Sequence, residues 1–242
     1  MTYPTFSDLL KVDVDTMAFL STGRNEFSRL PCLVAACGRH RSRSYANKGE
    51  QFSYHLDFQM QVYERDVKSR VVHKRFHISA QLVKMNDSDK LQRANYDVAV
   101  RNLEGAAPAL ERKVHFDYDA QIAGSGEPKP ASHLQFCGRL NDSHRDAGLT
   151  DAHVEGFFPL IDKPRIPSLP MSLATVLQWI FLEYAFDSSA HPLSLSEGWL
   201  SAVRKAERLV LLPYFENALR SLRKTQAQEE SCWATDFAYD GI

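Results

Sequence analysis

The alternation between residues 52 and 63 constrains this chain more than any other feature. Phe52, Tyr54, Leu56, Phe58, Met60 and Val62 alternate with Ser53, His55, Asp57, Gln59, Gln61 and Tyr63, the period-two pattern of a long strand with one face buried. A polar stretch from Glu64 to Ser69 turns the chain. Val72, Phe76, Ile78, Ala80 and Leu82 then share one face, with His73, Arg75, His77, Ser79 and Gln81 on the other. The two segments predict an antiparallel hairpin whose apolar side needs a cover.

The pattern continues. Tyr96, Val98 and Val100 predict a third strand, with Asp97, Ala99 and Arg101 on its other face, and Val114, Phe116 and Tyr118 a fourth, alternating with His115, Asp117 and Asp119. A fifth strand places Leu134 and Phe136 inward and His133, Gln135 and Cys137 outward. Cover comes from helices. Residues 5–20 carry Phe6, Leu9, Leu10, Val14, Met17 and Leu20 close to a helical period, and residues 171–186 are apolar nearly all round. The second stretch is too short to span a bilayer and reads as a buried core helix. Ser194-Leu195-Ser196-Glu197 fits a capping box opening a last helix, which Pro213 is expected to kink or break. Pro31–Cys37 could be a buried strand, followed by an exposed basic loop from Gly38 to Tyr45.

The expectation is one α+β domain: a mainly antiparallel sheet of five or six strands, an N-terminal helix and a C-terminal helical layer on one face. Its sheet-rich part covers 31–140, a proline-rich connection 141–170, the helical layer 171–225 and an acidic tail 226–242. A net charge of −1 carries no global cationic field, so any nucleic-acid contact must use a local patch. The four cysteines are scattered without zinc-finger spacing and read as reduced and structural. There is no stretch of about 20 apolar residues and no basic-then-apolar leader pattern at Met1–Pro4, so a cytoplasmic location and no membrane contact are expected.

Five of the nine histidines fall on the outward face: His55, His73, His77, His115 and His133, beside Asp57, Asp97, Asp117, Asp119, Arg75 and Arg101. A sheet with helices on one side ordinarily leaves its other side to water, so polarity alone is unremarkable there. Histidine and aspartate are nevertheless unusual choices for an exposed strand face. A histidine, an aspartate and an arginine suffice for metal-free acid–base cleavage of a phosphodiester. The catalytic candidates are His133 with Asp117, helped by His115 and by Arg75 or Arg139. His115 with Asp117, or His55 with Asp57, each two apart on one face, could also share an ion with cross-strand help, but no metal or other cofactor is assigned. Nucleophile elbows and phosphate-cradling glycine loops are absent from the sequence. Candidate nucleic-acid contacts are Arg39, Arg41, Arg43 and Tyr45, together with Arg165 in the stiff run from Lys163 to Pro170.

The order Arg112-x-Val114-x-Phe116-Asp117-Tyr118, a loop, His133-Leu134-Gln135-Phe136, then Pro164-Arg165-Ile166-Pro167 and an apolar helix resembles an uncharacterised bacterial family. A strand bearing Asp followed by a strand bearing His is also loosely similar to small toxins of toxin–antitoxin modules. The resemblance covers about a quarter of the chain; this chain is much longer than those toxins. It implies a toxin-like or phage-defence setting with RNA or DNA as target. The leading expectation is accordingly a nucleic-acid-acting protein. The alternative is a non-catalytic scaffold subunit with a protein partner.

Overall fold

The expected hairpin is the first unit of a larger sheet. The computed structural model describes residues 5–22, 30–44, 51–63, 71–85, 88–104, 109–120, 132–136, 166–184 and 195–228. They form α1 (Phe6–Ser21), α2 (Pro31–Ser44), β1 (Gln51–Tyr63), β2 (Val71–Lys84), β3 (Leu91–Asn102), β4 (Ala109–Asp119), β5 (Ser132–Phe136), β6 (Ile166–Pro167), α3 (Leu173–Glu183) and α4 (Glu197–Gln228). The six strands pair in chain order, each antiparallel to the next. The fold is α+β.

Register explains why the two faces differ so sharply. Asp57 lies opposite His77, Ser79 opposite Asp97, Asp97 opposite His115, and Asp117 opposite His133. Odd numbers therefore meet odd numbers across the sheet, apart from bulges at Val83/Lys84 and Val100/Arg101. The even-numbered face carries Leu56, Phe58, Phe76, Ile78, Val98 and Val114, all buried. The helices cover it. Trp179 of α3 packs edge-on against Phe116 at 5.6 Å, and Tyr184 against Phe76 at 5.1 Å. Trp199 of α4 is fully buried, packs edge-on against Phe181 and donates through Nε1 to Gln178 Oε1 at 2.5 Å. Burying side chains of this size contributes roughly 1.5–3 kcal/mol each.

One carboxylate ties these layers together. Asp13 of α1 is completely buried. Its Oδ2 accepts from the Tyr54 hydroxyl at 2.6 Å and the Tyr96 hydroxyl at 2.9 Å, and its Oδ1 from the Leu173 backbone N–H at 2.8 Å. That N–H is one of the donors left over at the start of α3, so Asp13 acts there as a cap from a distant helix. Burial pushes its carboxyl up to about 6 despite the three hydrogen bonds. Locally, Ser172 and Thr175 form a capping box at the same helix start.

Three expectations need correction. Pro31–Cys37 is not a strand: it opens α2, in which Leu33, Ala36 and Cys37 are buried at helical spacing while Cys32 is exposed. Pro31 suits the first helical position, where its missing N–H has no intrahelical partner to lose. The basic segment is likewise no loop up to Ser44, because α2 continues through Gly38, Arg39, Arg41 and Arg43. Of the two outcomes expected at Pro213, a kink or a break, the break does not occur: the last helix runs from Glu197 to Gln228. Proline removes one ladder hydrogen bond, and the helix-forming residues on both sides keep the rest. The proline-rich connection also supplies a strand: Ile166–Pro167 extends the sheet, with Pro167 opposite His133. Proline is compatible with that edge position.

Candidate functional site: the histidine and aspartate face

The odd-numbered face is not uniformly open to water. Ser53, His55, Gln59, Gln61 and His73 are exposed, whereas His77, Lys113, His133 and Gln135 are all less than 9% exposed. The β1 side is open and the β4–β5 side is closed. A simple solvated face would show no such gradient, and burying polar groups costs free energy unless each finds a partner.

Two Asp–His pairs occupy the closed side. Cross-strand pairing sets Asp97, His115 and Gln135 in one row, and Asn95, Asp117 and His133 in the next. His115 Nδ1 contacts Asp97 Oδ1, with the side chains 16% and 13% exposed. His133 Nε2 lies 3.5 Å from Asp117 Oδ2. Burial pushes the His115 imidazole down to about 4, and the positive charge of His133 acts in the same direction. His115 is therefore neutral at pH 7. A carboxylate only accepts, so the neutral ring presents its Nδ1–H to Asp97 and keeps its lone pair on Nε2. That Nε2 is buried and has no hydrogen-bond partner among the described residues. An unsatisfied buried nitrogen costs on the order of 1–3 kcal/mol.

A different arrangement occupies the open side. Arg75 Nε donates to Asp57 Oδ1 at 2.7 Å, and its Nη2 contacts Oδ2. Burial alone would raise the Asp57 carboxyl; the Arg75 hydrogen bonds and charge, with His77 and Arg39, reverse this and hold it below the usual range. The hydrogen bond that Arg75 donates to Asp57 in turn raises the guanidinium above its ordinary value. His77 lies opposite Asp57 and stacks with His55 at 6.0 Å. Burial lowers His77 to about 4, the attraction of Asp57 opposing it and the charges of His55 and Arg75 assisting.

The predicted residues thus divide. His133, Asp117 and His115 come together. Arg75 does not join them: the register puts it four residues along β2 and two strands across from His115, about 13 Å by nearly 10 Å. Arg39 is exposed on α2 and acts electrostatically on Asp57. Arg41 and Arg43 belong to α2 by backbone, their side chains lying outside the described residues, as do Tyr45, Cys137, Arg139 and Arg165 altogether. Asp97 is the functional candidate that sequence reasoning left unassigned, although it was placed on the correct face. Lys113, 1% exposed and two residues before His115 on the same face, is another.

Among the described residues, no group of three or more His, Cys, Asp or Glu side chains is placed to hold a metal ion. No helix there is long and apolar enough to cross a membrane. Comparison with known proteins found no family model, curated protein or solved structure that matches the chain.

Proposed function

We propose that the chain acts on nucleic acid in a toxin-like or defence-associated setting, and that it cleaves RNA by metal-independent acid–base chemistry at the paired Asp–His groups. The observation that carries this reading is His115: oriented by Asp97, neutral, and with a buried Nε2 lacking a hydrogen-bond partner among the described residues. Such a nitrogen is a base awaiting a proton. In RNA that proton is on the 2′-hydroxyl. His115 Nε2 takes it as the 2′-oxygen bonds to phosphorus, and the P–O5′ bond breaks with a proton delivered to O5′ by His133, which lies 3.5 Å from Asp117. The products are a 2′,3′-cyclic phosphate and a 5′-hydroxyl. DNA lacks the internal nucleophile, which is why RNA suits this pair better. Lys113 supplies positive charge beside His115.

The test is cleavage of labelled single-stranded RNA and DNA by the purified chain, with and without chelator, beside Asp97→Asn and His133→Ala. RNA cleavage insensitive to chelator and lost in both variants is the expected result. Absence of cleavage by the parent protein at low salt would overturn it.

A second reading, a scaffold subunit of a larger assembly, is favoured by one observation. Leu212, Phe215 and Leu219 are each about half exposed at helical spacing along the second half of α4, the kind of apolar stripe that marks an interaction surface. Stabilisation only by a protein partner, with no response to nucleic acid, would support that reading instead.

A further inference from the structure

The two halves of α4 use opposite faces. Over the first half Trp199, Val203, Ala206 and Val210 are buried, and the helix docks through this side, with Trp199 against Phe19 of α1 and Phe181 of α3. At about 100° per residue, Leu212, Phe215 and Leu219 sit about 180° around the helix from that docking side. The same outward face carries Ser201, Arg204 and Arg208 in the first half, all exposed, as an outward face should. From Leu212 onward it turns apolar, and Leu212, Phe215 and Leu219 are 54%, 52% and 49% exposed. The stripe is therefore no overspill of the core against which α4 docks.

Spacing defines the kind of cover that fits. Leu212, Phe215, Leu219 and Leu222 follow one another at three, four and three residues, the seam of two helices wound together. Charge then selects the direction. Glu216 and Arg220 flank the stripe on one side, and both are exposed. Parallel copies would set Glu216 and Arg223 beside Leu211 and Ala218, where neither meets an opposite charge. Antiparallel copies bring like flanks together. With Phe215 against Leu219 of the second copy, and Leu212 against Leu222, each Glu216 meets an Arg220 across the seam, and the two-fold symmetry makes the pair twice.

We propose that the second half of α4 is a self-association surface, occupied by the same segment of a second copy of this chain in antiparallel pairing. The contact is isologous, complementary to itself in both apolar spacing and charge. It does not depend on the action on RNA, and it gives the stripe an occupant other than the foreign partner of the scaffold reading. The patch is small beside the roughly 800 Å² per partner of a standard interface, so the dimer is expected to be weak, with a dissociation constant of roughly 10–100 μM.

The experiment is sedimentation velocity of the full chain across that concentration range, beside Leu219→Glu, Glu216→Arg and Arg220→Glu, each with a circular-dichroism melt. The parent protein is expected to pass from monomer to dimer. Leu219→Glu should weaken the dimer by at least about tenfold and leave the melt unchanged, because the side chain is already half exposed in one copy. Either charge reversal alone sets like charges across the seam and should weaken it about three- to tenfold. Mixing the two single variants should restore the dimer, since every Arg of one copy then faces a Glu of the other. A parent protein that stays monomeric throughout, or a dimer indifferent to Leu219→Glu, would overturn the proposal and leave the stripe to a different protein. Single variants that fail to rescue each other on mixing would overturn the antiparallel pairing.

Discussion

Asp13 and Asp97 lie on opposite sides of the same sheet and have opposite surroundings. Asp13, on the apolar side, is fully buried and accepts from three donors contributed by two strands and a helix. Asp97, on the polar side, contacts a histidine whose second ring nitrogen is buried without a hydrogen-bond partner among the described residues. A buried carboxylate that accepts from three separate elements holds those elements in place. One that orients a partner with a free lone pair prepares chemistry.

The comparison is broken most directly by exchanging the acceptor at each place. Asp97→Asn removes the charge that orients His115 and should lower RNA cleavage by about 10²–10⁴-fold while leaving the fold intact, measured as single-turnover rate beside a circular-dichroism melt. An equal loss of stability and rate would make Asp97 structural too. Asp13→Ala should do the opposite, destabilising the protein by roughly 3 kcal/mol or more in urea unfolding because two tyrosine hydroxyls and the Leu173 N–H lose their acceptor.

Acid should sharpen the contrast, because the two faces respond to it in opposite senses. The Asp13 carboxyl rises from 3.8 unfolded to about 6 folded. Its contribution is fully present below the unfolded value and is lost as pH rises through about 6. His77 and His115 fall from 6.5 to about 4. Their contribution is present above 6.5 and is lost as pH falls through about 4. Acidification across this window therefore strengthens the apolar joint and weakens the polar face. Asp13→Asn should steepen the acid loss of stability by on the order of 3 kcal/mol, read as urea midpoints across the window; an unchanged profile would show that Asp13 titrates normally. The smallest effect is expected outside both faces. Lys205→Ala breaks an exposed ion pair with Asp15 at 2.8 Å and should change stability by less than about 1 kcal/mol.

What could be read from the chain beforehand follows from one-sided burial. A strand with one buried face writes its orientation into alternate residues, so β1 and β2 were legible residue by residue and the histidine face could be assembled from parity alone. The segment from Pro31 to Cys37 was misread because a short apolar run does not distinguish strand from helix. The proline at its start was the available clue. The His133–Asp117 pairing followed from adjacent strands, whereas Asp97 with His115 depends on how far β3 and β4 slide past one another, which alternation does not specify. Asp13 did leave a signal. It stands four residues after Leu9 and four before Met17, both buried in α1, so a carboxylate occupied the apolar stripe of an otherwise ordinary amphipathic helix.

The meander has a consequence for how the protein is made. Each strand from β2 to β5 pairs with its predecessor in the chain, so the sheet can grow by short hairpin closures as synthesis proceeds. The part of its cover that α3 and α4 supply arrives late: Asp13 must wait 160 residues for the N–H of Leu173. Until then the part of the apolar side that α3 and α4 will cover stays open, and during that interval the nascent chain is a natural client for a chaperone.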